Sequence, residues 1–451
     1  ASKMRLAAAA IAWLSTAALY GSFVLLSAST PVGAEETAEY YAVCDAGSTG
    51  TRLYIFSLGG ASKASSVFVK KVKPGLSSYA ANPAGTVEPL LKLFTEGAQK
   101  VPEEKRGAVP LFILGTAGMR LLPPEKQRAI WGALGAGLEA APTFPFSKSS
   151  LVMRTVSGVE EGLWAVVTAN FLTDRISTDL KIAKENPAVG LLDLGGSSTQ
   201  IAIPPLAQGG SAHIGEGATV QSYLGFGMTR LREEVRRKTS NGADAACYMK
   251  GYALDENGQQ LTGTGDAPLC RVLIEAIMQS ESESCNANRP ADEEASCLGD
   301  LSKKASEVKA VSSGSLDFFA VSGFTYAADF VRWWFELPPN KGLGGAFSKA
   351  FPQPTLTEMA AAVDAMCAGD WSTVESAANN EETKHPFTGP DNTAFRCFQA
   401  NYILVLLGKV YGFPQGGRGI TFALDVAGED LEWPLGALLH EQEKKAGKKR
   451  S

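Results

Sequence analysis

Two short segments, Asp45-Ala46-Gly47-Ser48-Thr49-Gly50 and Asp193-Leu194-Gly195-Gly196-Ser197-Ser198-Thr199, repeat one chemical device about 150 residues apart. Each sets a carboxylate at the end of an apolar run, Tyr41–Cys44 or Val189–Leu192, and follows it with glycines and hydroxyls. Glycine lets successive backbone N–H groups converge on an anion, and Ser and Thr add donors. Aspartate is a poor partner for phosphate but a good holder of the hydrated divalent cation that nucleotide phosphates carry. One Asp-x-Gly turn is an ordinary strand-to-loop connection. Two facing each other would clamp a polyphosphate from both sides.

Two further segments carry groups suited to the same work. The apolar run Pro110–Leu114 empties into Gly115-Thr116-Ala117-Gly118-Met119-Arg120, which sets Thr116 at the carboxyl edge of a sheet, where α/β proteins bind ligands. Thr155 to Trp164 opens a helix with two adjacent acids, Glu160 and Glu161. Acids in a first turn complement the helix dipole, and Ser157 is suited to cap it. Gly158 and Gly162 on either side of the pair leave room for substrate, which favours a role in the site.

The elements that must position these groups follow from hydrophobic spacing. Arg52–Phe56 and Thr199–Ile203 read as strands that complete a hairpin after each turn. Val87, Leu90, Leu91, Phe94, Ala98 and Val101 form a helical stripe, with Pro89 tolerated in its first turn. Leu163, Val167 and Phe171 continue the helix that begins with the paired acids.

The chain of 451 residues is 45% hydrophobic and 20% charged, enough for one or two full cores. A net charge of −5 leaves no basic footprint, so no nucleic-acid partner is expected. There is no P-loop and no G-x-G-x-x-G. Leu6 to Gly33 contains no charged residue, and Leu6–Ala28 is long enough to span a bilayer as a helix. Lys3 and Arg5 before it, and Glu35, Glu36 and Glu39 after it, favour an anchor that places the rest on the lumenal or extracytoplasmic side. Val32-Gly33-Ala34 also suits a signal peptidase, which would release a secreted protein; an organellar membrane is the further alternative. Six of the seven cysteines lie in the second half, with no C-x-x-C pair. Three disulfides formed in an oxidising compartment are expected, with Cys44 left over as a small buried residue, although reduced thiols remain the alternative.

Asp-turn hairpins facing one another across a cleft resemble the actin, sugar-kinase and heat-shock ATPase superfamily. More closely, residues Tyr41 to Leu439 resemble the apyrases, or ecto-nucleoside triphosphate diphosphohydrolases. Five signature regions carry the resemblance: Asp45 to Arg52, Gly115 to Arg120, Ser157 to Gly162, Asp193 to Gln200, and Phe318-Phe319-Ala320-Val321-Ser322-Gly323-Phe324. Lesser echoes stand at Gly75 to Ser78, Ser222 to Gly227, and Trp433-Pro434-Leu435-Gly436.

The resemblance implies an α/β fold of two ribonuclease-H-like domains of the actin-like superfamily, with the active site in the cleft between them, plus the N-terminal apolar helix. Residues 1–35 would be the anchor or signal, 36–156 with a returning segment 422–451 the first domain, and 157–421 the second. It further implies metal-dependent hydrolysis of terminal phosphates of nucleoside tri- and diphosphates. Asp45 and Asp193 would hold Mg²⁺ or Ca²⁺ through bound waters. Gly47, Ser48, Thr49, Gly195, Gly196 and Ser197 would bind phosphate, and Thr116 falls where the family places a catalytic threonine. Glu161 matches the general base, with Ser198 and Gln200 helping to orient the attacking water. Phosphoryl transfer asks for charge neutralisation and alignment more than covalent chemistry, which suits these residue types. None of the three histidines, His213, His385 and His440, lies in a signature, which argues against a phosphohistidine route.

Tyr326 is the candidate for stacking on the nucleobase. Arg396, beside Cys397, does not fall where the family's stacking arginine is expected. The cysteine pattern of the resemblance implies pairs Cys247–Cys285, Cys270–Cys297 and Cys367–Cys397. Two other readings stand beside hydrolysis: a non-catalytic apyrase-fold subunit of a membrane assembly, and a kinase or chaperone-type ATPase.

Overall fold

The apolar runs before the two aspartates are central strands, because they carry no side chain that needs water on either face. β1 (Glu39–Ala46) is buried from Tyr41 to Cys44, and β6 (Gly190–Leu194) along its whole length. The computed structural model describes residues 38–450 apart from 60–61, 206–211, 240–241, 257–258, 289–313 and 427. The expected N-terminal apolar helix lies outside the described residues. Among those described, no helix is long and apolar enough to cross a membrane.

The first sheet adds β2 (Thr51–Gly59), β3 (Ser62–Val72), β4 (Leu111–Gly115) and β5 (Leu151–Thr155), in the order β3-β2-β1-β4-β5. The β1–β2–β3 meander is antiparallel, and β4 and β5 join in parallel. A second sheet is built from β6, β7 (Ser198–Ile203), β8 (Thr219–Leu224), β11 (Phe318–Ser322) and β12 (Ile420–Phe422). A separate two-stranded ribbon, β9 (Ala253–Glu256) and β10 (Gln259–Thr262), lies outside it. The order β8-β7-β6-β11-β12, with the same mixture of antiparallel and parallel pairs, reproduces the first sheet strand for strand. Asp45 therefore pairs with Arg52, and Asp193 with Gln200, at the same place in two equivalent hairpins. The protein is an α/β fold with two sheets.

Helices α1 (Val87–Ala98) and α2 (Pro124–Ala140) bury Leu90, Phe94, Ile130 and Leu134 on the first sheet, so the expected stripe on α1 is core. α3 (Gly158–Leu172) is apolar nearly all round and correspondingly buried on most sides. The outer face of the second sheet is covered by α4 (Ala267–Asn288), α5 (Gly323–Trp334) and α6 (Arg396–Val405). The last helix, α7 (Pro434–Arg450), packs on both α3 and β1, so a helix pair fills the layer between the sheets.

Cysteine pairing departs from expectation in part. Cys367 and Cys397 are paired, with Cα atoms 5.3 Å apart, and Cys44 is buried and unpaired. Cys247 pairs with Cys270 (Cα 4.9 Å), which overturns Cys247–Cys285 and Cys270–Cys297. Cys270 sits in the first turn of α4, beside the short helix that ends at Cys247, whereas Cys285 is fifteen residues along α4, about 22 Å away at 1.5 Å per residue. Cys297 lies outside the described residues.

Candidate active site

Strand register delivers the predicted groups to one place. β1 and β4 run parallel with Ala46 beside Gly115, and the Thr116 N–H donates to the Ala46 carbonyl at 3.3 Å, so the first turn and Thr116 share one sheet edge. In the second sheet the same geometry sets Asp193 beside Val321 and Leu194 beside Ser322. The two edges face each other across a cleft of about 390 Å³. Asp45, Gly47, Ser48, Thr49 and Thr116 line it from the first sheet, and Asp193, Gly195, Gly196, Ser197 and Ser198 from the second. Glu161 and Tyr326 line it as well. Gln200 stands behind the wall, touching the cleft only through Glu161 and Ser198.

The turns are close enough to touch. A Cβ on Gly196 would lie 2.7 Å from Ser48 Oγ. The lesser sequence echoes buttress them from behind: a Cβ on Gly75 would lie 2.4 Å from the Gly47 carbonyl oxygen, and one on Gly227 2.2 Å from the Ser197 nitrogen. Those positions have no room for a larger residue while the turns keep their shape.

The paired acids divide. Glu160 forms a capping box with Ser157, its carboxylate accepting from the Ser157 N–H at 2.9 Å, and pairs with Arg154 at 2.7 Å. Burial pushes the Glu160 pKa up, but Arg154 and the Ser157 N–H outweigh it and hold it below the ordinary value. Glu161, one residue on, turns into the cleft. Arg120 reaches its Oε2 with both terminal nitrogens, at 3.1 and 3.0 Å, and Gln200 Nε2 donates to the same oxygen at 3.3 Å. Burial raises the Glu161 pKa, with Arg120 opposing. Ser198 Oγ accepts from Arg120 (3.2 Å) and Gln200 (3.0 Å), which ties these four side chains into one network.

Both aspartates are under electrostatic stress. Burial drives the Asp45 carboxyl well up, and the nearby charges of Glu432 and Glu161 add to it. Burial and Glu161 push Asp193 up to about 7. Each leaves its Oδ1 buried without a hydrogen-bond partner. A buried carboxylate in that state wants a cation. Among the described residues no three His, Cys, Asp or Glu side chains converge to hold one directly. Two opposed carboxylates suit an ion gripped through its own water shell.

Several groups in the cleft were not singled out from the sequence. Arg120 stood inside a quoted motif without a role. Arg52 sits opposite Asp45 in the hairpin, and its guanidinium pairs with Glu432, which also accepts from Tyr54 Oη at 2.9 Å. Lys71 and Lys73 line the same side, with Lys71 Nζ donating to Thr49 Oγ1 at 3.4 Å. At the far end, Phe387 lies against Tyr326 with centroids 6.1 Å apart, and Arg396 and Gln399 complete the wall. The register partner of Asp45 and the acid before Trp433-Pro434 were within reach of sequence reasoning. Arg396, which the sequence did not place at a base-stacking position, lines the cleft together with Tyr326 all the same, and Phe387 had no local signal, since only tertiary packing brings it to Tyr326.

A family model described as the GDA1/CD39 (nucleoside phosphatase) family matches residues 32–450. A Caenorhabditis elegans protein described as nucleoside-triphosphatase ntp-1 is 26% identical over 445 residues, 92% of this chain and 75% of that protein. The Golgi apyrase of Schizosaccharomyces pombe is 27% identical, over 86% of this chain and 69% of its own. The crystal structure of nucleoside triphosphate hydrolases from Neospora caninum superposes with a TM-score of 0.62 at 17% identity, over 91% of this chain and 93% of that one, a likeness of fold.

Proposed function

The chain belongs to the GDA1/CD39 (nucleoside phosphatase) family, and from that premise we propose that it hydrolyses terminal phosphates of nucleoside tri- or diphosphates by in-line attack of water. Nucleoside phosphohydrolysis is the activity for which its relatives are named. The observation that carries the detailed reading is the pair of orphaned Asp45 and Asp193 oxygens in a cleft that Glu161 also lines.

Asp45 and Asp193 would hold Mg²⁺ or Ca²⁺, which when bound neutralises phosphate charge. The backbone N–H groups of the two glycine turns, with Ser48, Thr49 and Ser197, bind the phosphate oxygens and stabilise charge that spreads over them in the transition state. Glu161 is the general base. All of its side-chain donors among the described residues meet Oε2, which leaves Oε1 to take a proton from the attacking water. Ser198 Oγ already accepts two hydrogen bonds, so its own hydrogen is free to donate and align that water. Thr116, which lines the same cleft, would contact the transferred phosphoryl group. Tyr326 and Phe387 offer aromatic surface to a base.

In this reading the two sheets are ribonuclease-H-like domains, 36–156 with 422–451 and 157–421. The paired cysteines fit an oxidising, extracytoplasmic compartment. Phosphate release from purified protein over a panel of nucleoside di- and triphosphates, with Mg²⁺, Ca²⁺ or EDTA, tests the proposal. Cation-dependent release of orthophosphate is expected. Release unaffected by EDTA would remove the metal role. Transfer to an acceptor would mark a kinase, and no turnover with intact folding would mark a non-catalytic subunit.

A further inference from the structure

Ser322 ends β11 in a backbone conformation that residues other than glycine enter only at a cost, with φ 53° and ψ −123°. Asp174, Leu180 and Ser322 are the non-glycine residues with positive φ among those described, and of the three only Ser322 lines the cleft. The first sheet manages the corresponding junction without strain. There Thr116, with φ −100°, links β4 to the short helix Ala117–Arg120, and Gly115 is not left-handed either. In the second sheet α5 starts at once after β11, so the whole change of direction falls on Ser322. The junction is tight on both sides. A Cβ on Gly323 would lie 2.6 Å from the Leu194 carbonyl oxygen, and Thr325 Oγ1 donates back to the Ala320 carbonyl at 2.5 Å. Glycine would make the same turn freely, yet this chain carries a hydroxymethyl group there.

That hydroxyl meets Asp193 on the neighbouring strand. The main chain of Asp193 is already fixed: it lies in register with Val321 and Gln200, and its carbonyl accepts from Thr199 Oγ1 at 2.7 Å. Only its side-chain torsions remain. The carboxylate accepts hydrogen bonds from the Ser322 hydroxyl and from the Leu194 N–H, and because Oδ1 has no partner, both fall on the other oxygen. The Leu194 N–H belongs to the same strand as the carboxylate, whereas Ser322 reaches it from β11. A carboxyl group gripped by one oxygen presents the other in a single direction.

We propose that Ser322 is a positioning residue whose left-handed backbone aims its hydroxyl at Asp193 and so keeps Asp193 Oδ1 turned toward the water shell of the catalytic cation. The strained turn is retained because the hydroxyl is used, and the use is orientation of a cation-holding group rather than contact with substrate. This inference rests on Asp193 holding the cation of a phosphohydrolase.

The test compares wild type with Ser322→Ala, which keeps the strain and removes the hydroxyl, and Ser322→Gly, which removes both. Cation binding is read without turnover, as the Mg²⁺ or Ca²⁺ concentration that gives half of the rise in melting temperature with a non-hydrolysable nucleoside triphosphate present. Both variants are expected to need about tenfold more cation, the lower end of what losing a partner behind a metal-holding group costs. Phosphate release should show the same shift in half-maximal Mg²⁺, with kcat returning to within about threefold of wild type at saturation. In EDTA, Ser322→Gly should melt above Ser322→Ala, because glycine adopts the left-handed backbone without strain. A cation requirement within about twofold of wild type in either folded variant would overturn the inference and leave the phosphohydrolase reading standing, as would a loss of kcat that no cation concentration repairs. Ser322→Gly melting no higher than Ser322→Ala would remove the strained turn on which it stands. Ser322→Gly decides where Ser322→Ala does not fold, and failure of Ser322→Gly to fold would show a structural role instead. Wild-type protein whose phosphate release ignores EDTA and whose melting ignores both cations would overturn the metal reading and this inference together.

Discussion

Glu160 and Glu161 are adjacent acids with opposite environments, and the difference makes them separable by mutation. Glu161→Gln should lower turnover by at least about a hundredfold, the scale of a lost general base, while nucleotide binding persists. Glu160→Gln should leave turnover within about twofold and cost about 1 kcal/mol of stability, the scale of a weakened helix cap, read as a lower melting temperature. Arg120 acts on Glu161 through charge. Burial raises the Glu161 pKa and Arg120 holds it down, so Arg120→Met should raise it further. A base must be deprotonated, and the acid limb of the kcat/KM profile should therefore move to higher pH in this variant. A limb that stays in place would mean that another group titrates. At this scale the sequence offered both readings of the acid pair, cap and base. Glu160 caps the helix and Glu161 lines the cleft, because successive residues on a helix point about 100° apart.

At the scale of elements, the helix pair between the sheets sets where Glu161 can stand. α7 approaches α3 so closely that a Cβ on Gly436 would lie 1.9 Å from the Trp164 carbonyl oxygen. The Gly436 N–H donates to Thr168 Oγ1 at 2.8 Å, and Trp433 packs on Trp164 with centroids 5.6 Å apart. The obstacle is backbone, so Gly436→Ala must push the helices apart. A loss of roughly 1–3 kcal/mol is expected, with reduced kcat because α3 begins at the site. Gly132 on α2 meets nothing within 4 Å, and Gly132→Ala should instead be neutral or stabilising by up to about 1 kcal/mol, as in any open helix interior. Melting temperatures and turnover of the two variants check the contrast. The Trp433 to Gly436 segment was visible in the sequence as an echo of the family. Its reason, a contact with a helix more than 260 residues away, was not.

At the scale of the molecule, the cleft brings ionisable groups from two sheets into one low-dielectric space. The Asp193 pKa is raised to about 7 by burial and by Glu161, above its ordinary value of 3.8. A carboxyl with that shift favours folding while protonated, and the contribution is lost as pH rises through the folded value. Protein stripped with EDTA should therefore lose melting temperature between about pH 4 and about pH 7. Mg²⁺ or Ca²⁺ should restore it by an increment that grows with pH, because the cation competes with the proton; saturation at a hundred times Kd contributes about 2.7 kcal/mol. An increment independent of pH would argue against Asp193 as part of the cation site.

The sequence alone determined what is local. Turn chemistry at a strand end depends on a few consecutive residues, so the two aspartates, their glycines and hydroxyls, Thr116 and the start of the Glu161 helix could all be read from the chain. The duplicated sheet order could not, since the hairpins share turn residues but few of the side chains that pair their strands. Only the tertiary structure decided which groups meet: Arg120 with Glu161, Arg52 with Glu432, Arg396 with Tyr326 and Phe387, and Cys247 with Cys270. These contacts depend on how helices and sheets pack, and packing is settled by the shape of whole faces, which no short run of residues encodes.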